Sequence, residues 1–255
     1  MFGIQSRATL EDLHTPAAIR QRISAAPSHS YLGDAVLGAI DGCVTTFAVV
    51  SGVAGASFPH GVTVIIVLGL ANLLADGFSM AVGNYLGTQT DRQIVERTRR
   101  MEEMHIDVVP EAEREEIRQI FAVKGFEGRL LEEIVEVITR DRQRWIDTMV
   151  TDEWGLQLET PVPWKAALTT FVAFALAGAV PLMPFLLPLA WTTDQMFVAS
   201  TVATAVTFLA VGTVKGFIVK HSPAYSSVET LLVGGAAAAL AYGVGFGLRT
   251  WFGVE

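Results

Sequence analysis

The sequence predicts an all-α membrane protein: five transmembrane helices, with a helical, water-exposed insert between the second and the third. Three observations predict it. Of 255 residues, 51% are hydrophobic and only 17% charged, and mean hydropathy is +0.43; a soluble domain carries about 25% charged residues. The charges are concentrated. Thr88 to Thr160 holds 18 Asp+Glu and 11 Lys+Arg, leaving 8 acids and 7 bases for the other 182 residues, too few to keep a water-facing surface soluble. Outside that block, five stretches reach the ~20 mostly apolar residues that a helix needs to cross the bilayer core. An ordinary cytosolic globule and a disordered chain are both excluded. The pI near 5.2 argues against nucleic acid as a partner, because the acidic block repels phosphate. The lone Cys43 can form no intramolecular disulfide and has no second thiol for a Cys-based zinc site.

Residues 1–30 read as an N-terminal arm, with 8–23 a short amphipathic helix or a mobile segment, and with no apolar core of the kind a cleaved signal peptide carries. Transmembrane helices 1 and 2 occupy residues 31–88. The first runs from roughly Gly33 to Ser57 and carries Asp34 and Asp41; the second runs from roughly Gly61 to Gly87 and carries Asp76. Gly38 with Gly42, and Gly83 with Gly87, are small-residue pairs four apart, which let helices approach closely. The insert takes residues 89–160 as three helices. Gln89 to His105 is rich in Arg and Glu. Pro110 opens Glu111 to Val123, since proline favours the first helical turn, and Gly125 with Gly128 breaks it. A third segment, Arg129 to about Trp154, carries Leu130, Ile134, Val137, Ile138 and Trp145 at a spacing that makes one buried stripe. So small a domain has little core of its own and is expected to pack on a second copy, as a homodimer. Helices 3 to 5 occupy 161–255: Ala166 to Thr193 with prolines at 181, 184 and 188, then Gln195 to Val214 and Thr230 to Leu248, none with a charged residue.

Loop charge sets the orientation. The loop around Phe58, Pro59 and His60 and the Thr192-Thr193-Asp194 connection have no Lys or Arg, whereas the arm carries Arg7, Arg20 and Arg22, and the fourth connection carries Lys215 and Lys220. The N-terminus and residues 89–160 are therefore expected in the cytoplasm and the C-terminus outside, with Arg249 a mild exception.

Asp34 and Asp41 are seven apart on one face of the first helix, and Asn72, Asp76 and Met80 are spaced by four on one face of the second. Ionisable groups within a membrane are costly and mark ion pathways or proton relays. Asp41 lies deepest in its span; Asp34 and Asp76 sit nearer helix ends, where pairing with Asn and Ser as packing contacts is the competing reading. Met80 alone would be a core residue, but a thioether facing a carboxylate suits a borderline transition metal. In the insert, Glu102 with His105 and Glu113 with Glu116 are three apart, and Met149 with Glu153 four apart. Any one such pair is ordinarily a solvated helix face; together they form a carboxylate, imidazole and thioether set suited to Fe2+ or Mn2+. No Gly-rich phosphate loop, His-Glu-x-x-His or Gly-x-Ser-x-Gly occurs, so no enzyme activity and no tightly bound cofactor are expected. Any transport would be driven by an ion gradient, and a carboxylate that binds either a metal ion or a proton supplies the coupling.

Asp34-Ala35-Val36-Leu37-Gly38-Ala39-Ile40-Asp41-Gly42, followed by Thr45 to Gly52, resembles the first helix of the vacuolar iron transporter family; Ala75 to Leu86 resembles its second. Val109 to Ile117 and Trp145 to Met149 match its inserted domain. The resemblance spans about residue 31 to the C-terminus. It implies a dimeric five-helix transporter that exchanges Fe2+, and often Mn2+, for protons. It assigns ion translocation to Asp41 and Met80, and ion capture to Glu102, Glu113, Glu116, Met149 and Glu153. His105 and Val150 stand where such proteins often carry Glu, and Asn72 where some do; histidine still ligates Fe2+ and valine does not. Asp34, Asn72 and Asp76 are the candidates for proton coupling. The expected function is proton-coupled export of Fe2+ or Mn2+ from the cytosol across a lipid bilayer, a prokaryotic inner membrane or a vacuolar membrane. The alternative is a membrane-anchored metal sensor or store without transport.

Overall fold

The computed structural model describes residues 11–12, 14–24, 30–188 and 190–253. Every regular element among them is helical: α1 (Pro16–Ser24), α2 (Leu32–Ala56), α3 (Gly61–Val108), α4 (Pro110–Val123), α5 (Gly128–Thr139), α6 (Arg142–Thr148), a π-helical turn (Met149–Glu153), α7 (Pro163–Ala179), a 3-10 turn (Val180–Leu182), α8 (Met183–Leu186), α9 (Thr193–Ile218) and α10 (Pro223–Phe252). Five segments are long and apolar enough to cross a membrane: Leu32–Ala56, Gly61–Val108, Pro163–Leu186, Thr193–Ile218 and Pro223–Trp251. The helix expected within 8–23 is represented by α1; residues 8–10 and 13 of that range, and Arg7, lie outside the described residues.

The chain divides into two compact units, one made of the residues up to Tyr85 with those from Trp164 onward, the other Leu86–Pro163. In the first, α2 packs on α9 and α10, and α9 on α10. Gly38 and Gly42 sit where a Cβ would collide with the backbone carbonyls of Thr170 and Phe174, so α2 and α7 touch main chain to main chain. Gly83 and Gly87, expected to serve the same purpose, face open space. The prolines of the third span break it as their chemistry requires: each lacks the N–H of the helical ladder. The Pro181 carbonyl accepts the Ser200 hydroxyl at 2.7 Å. Phe47, Val50, Val53, Ile65, Leu182 and Phe185 form a buried cluster, against which Phe197 stacks on Phe47 at 6.4 Å. Ser57 ends α2 in the left-handed conformation, and Arg249 donates to its hydroxyl at 2.9 Å. The one base expected on the wrong side of the membrane thus sits at the negative end of a helix dipole.

The second unit contains the end of α3, α4, α5, α6 and the π turn. The first helix expected of the insert is not separate, because nothing between Gly61 and Val108 stops α3; Gly87 costs only about 1 kcal/mol in a helix interior. Val109 leaves the helical region (φ −133°) before Pro110, as residues before proline must. The third expected segment is in fact three pieces. Asp141 interrupts it, its side chain accepting from the N–H groups of Gln143 and Arg144 as the N-cap of α6. The buried stripe of α5 is Leu131, Val135 and Ile138, while Leu130 and Val137 are 54% and 53% exposed. Of the expected stripe, Ile138 and Trp145 are buried and Ile134 packs partly buried on the same core; only its outer edge, Leu130 and Val137, is left exposed. Leu131, Val135 and Ile138 join Val95, Ile106, Ile117, Trp145, Ile146, Met149 and Val150 in one core. Around it run ion pairs of Arg142 with Asp107 (2.6 Å), Arg99 with Asp147 (2.6 Å), Lys124 with Asp152 (2.7 Å), and Arg118 with Glu115 and Glu132.

Candidate metal centre

Within the first unit, α2 and α3 face each other along a row of polar contacts in antiparallel register. Asn84 donates through Nδ2 to Oδ1 of Asp34 at 2.8 Å and to Oγ1 of Thr170 on α7 at 2.7 Å. The Asp41 and Asp76 carboxylates come next, near enough to repel one another. Beyond them, Asn72 Nδ2 reaches Oγ1 of Thr45 at 3.4 Å, and Thr45 donates back to the Asp41 carbonyl at 2.9 Å. Asp34, Asp41, Asn72, Asp76 and Met80 are all partly buried. Asn84, Thr45 and Thr170 are the members that sequence reasoning missed. Asn84 continues the spacing of Asn72, Asp76 and Met80 by one more step of four, which was the available signal.

Within the second unit, the break at Pro110 folds the start of α4 back on the end of α3. Glu102 and His105 occupy the last turns of α3, and Glu113 the first turn of α4. One ligand atom from each of these three lies within 4.8 Å of the others. His105 Nδ1 is 3.3 Å from Oε1 of Glu113, and the Trp154 indole N–H donates to Oε1 of Glu102 at 2.9 Å. Glu102 is 1% exposed and Glu113 2%, yet the Oε2 atoms of both have no hydrogen-bond partner. Buried anionic oxygens in that condition are costly unless a cation or a proton satisfies them. Burial, reinforced by the charges of Glu116, Glu102 and Glu153, pushes the Glu113 carboxyl up to about 7. Glu153 is exposed, but local desolvation, with Glu102 and Glu116 as charged neighbours, holds its carboxyl above the ordinary range too. Glu116 and Glu153 are thus within electrostatic reach of the cluster. Met149 and Val150 are wholly buried in the unit's apolar core. Trp154 was not foreseen, since a lone tryptophan carries no spacing signal.

Fold and site together define a class: a chain with five helices of membrane-crossing length and a helical unit that assembles two buried carboxylates and an imidazole. The VIT family profile matches residues 32–246, and the chain belongs to that family. Its relatives include a vacuolar iron transporter of Centaurea cyanus, 31% identical over 218 residues, covering 84% of this chain and 86% of the relative. The vacuolar iron transporter 1 of Oryza sativa subsp. japonica is 32% identical over 220 residues, 85% of each chain. The vacuolar iron transporter of Toxoplasma gondii (strain ATCC 50861 / VEG) is 32% identical over 226 residues, 86% of this chain and 74% of the relative.

Proposed function

We propose that this protein moves Fe2+, and Mn2+ as well, out of the cytosol across a membrane in exchange for protons, working as a homodimer with residues 89–160 on the cytosolic side. The observation that carries the reading is the pair of buried, unpartnered Oε2 atoms of Glu102 and Glu113 beside His105. A divalent cation satisfies both oxygens, and carboxylate with imidazole suits Fe2+ and Mn2+. Glu116, Glu153 and Met149 complete the capture set, and the net negative charge of the domain raises the local cation concentration. The ion then passes to Asp41 and Met80 in the membrane. Asp34 and Asp76 take up protons there, because metal and proton compete for the same carboxylate lone pairs. The relatives' names support iron as cargo, and the loop charges support the orientation.

The test is anaerobic Fe2+ flux into proteoliposomes with and without an inward-acidic pH gradient. Flux that rises with the gradient is expected. Absence of flux with iron still bound favours a membrane-anchored sensor or store. That second reading draws on one observation: the whole carboxylate–imidazole cluster lies within Leu86–Pro163.

A further inference from the structure

The π turn at Met149–Glu153 is the only one among the described helices. Its closing bond runs from the Trp154 N–H to the Met149 carbonyl at 3.3 Å, a five-residue step where an α-helix takes four. Gly155, in the left-handed region at φ +65°, then ends the segment. The consequence is local: the indole N–H meets Oε1 of Glu102 at 2.9 Å, with the Glu153 carboxyl also within its influence. Glu102 is otherwise buried, and its other oxygen is unpartnered. Trp154 itself is 46% exposed, so its ring is not there to fill the core.

We propose that Trp154 is a positioning residue for ion capture: by occupying Oε1 of Glu102 it leaves Oε2 as the one ligand atom, so that Glu102 binds an ion through a single oxygen. The proposal rests on the capture site argued above. Its consequence is selectivity. Ca2+ takes six to eight oxygens and uses bidentate carboxylates readily, at longer distances. A borderline transition ion is content with fewer ligands that include nitrogen. A Glu102 held to one oxygen favours the second kind of ion over the first, and an unpinned Glu102 no longer discriminates.

The test is calorimetric binding of Mn2+ and of Ca2+ to the full-length protein in detergent, with apo thermal unfolding measured alongside. Outer partners of metal ligands are worth roughly 10- to 100-fold in affinity. Trp154→Phe is therefore expected to weaken Mn2+ by about tenfold while Ca2+ binding holds or strengthens; the apo protein stays folded with a lowered unfolding temperature, because the buried Oε1 of Glu102 loses its donor. Trp154→Leu also lacks the N–H, carries the same expectation, and replaces the Phe variant if that one misfolds. Equal losses for both ions would reduce Trp154 to a structural role and overturn the proposal, as would affinities unchanged from wild type. If wild-type protein binds no Mn2+ that Glu113→Gln removes, the capture reading falls and this proposal with it.

Discussion

Glu113 concentrates the conflict between stability and function. Its carboxyl is 2% exposed, has one unpartnered oxygen, and is surrounded by the charges of Glu116, Glu102 and Glu153. Glu113→Gln removes an anion that the ion-free fold must tolerate, so it is expected to raise the apo unfolding temperature while lowering Mn2+ affinity by roughly 100-fold or more, beyond what an outer partner contributes. A variant that loses both stability and affinity would instead mark Glu113 as a packing residue. The pH dependence follows from the same group. Its pKa rises from 4.5 to about 7, so the fold favours the protonated form. Its contribution to the stability of the ion-free protein is whole below the unfolded value and is lost as pH climbs through the folded one. Ion binding runs the other way. Below about pH 7 the incoming metal must expel a proton, so Mn2+ affinity is expected to increase with pH and level off above that value. Calorimetry in buffers of different ionisation enthalpy would read the proton released; none released at acidic pH would contradict the assignment.

The helices of the second unit are held by register. α5 presents a broad apolar arc, of which Leu131, Val135 and Ile138 are buried and Leu130 and Val137 are not. Ile138→Ala is expected to cost about 2 kcal/mol or more, at the lower end for a buried isoleucine with slight exposure, whereas Val137→Ala should stay within about 0.5 kcal/mol. Denaturant unfolding of the two variants tests it. Reversed effects would mean that the outer edge of α5 is covered by something beyond the single chain, as the homodimer reading allows. The ends of these helices are set by local chemistry, with Asp141 capping α6 and Gly125 and Gly128 at φ +92° and +59° between α4 and α5, where only glycine is comfortable.

Across the molecule, the proposed scheme gives the two polar assemblies separable jobs. The Asp41–Asp76 pair belongs to one compact unit and the Glu102–His105–Glu113 cluster to the other. Asp41→Asn is expected to reduce Fe2+ flux in proteoliposomes to background while Mn2+ still binds the purified protein with wild-type affinity. Retained flux would remove Asp41 from the transport path; lost binding would show that the two assemblies are not independent. The Asp34–Asn84–Thr170 contact ties α2, α3 and α7 together, which gives Asp34 a structural partner in addition to its proposed part in proton coupling.

The broad plan was legible because it follows from short-range rules. Burial of apolar length, exclusion of charge and the break imposed by Pro110 act through neighbouring residues, and they mark out five apolar helices and the start of α4 in the sequence. The face shared by Asn72, Asp76 and Met80 follows from helix geometry alone. What the linear pattern left open depended on who packs against whom. Gly42 meets the Phe174 backbone whereas Gly83 meets nothing, although both belong to the same kind of pair. Leu131 is buried whereas Leu130 is exposed, although both are leucines on one arc. Trp154 reaches Glu102 across 52 residues of chain because a π turn changes its direction, and no spacing rule encodes that. Periodicity says which residues share a face; only the tertiary fold decides which part of that face finds a partner, because burial is a property of the assembled surface and not of the strand of residues that supplies it.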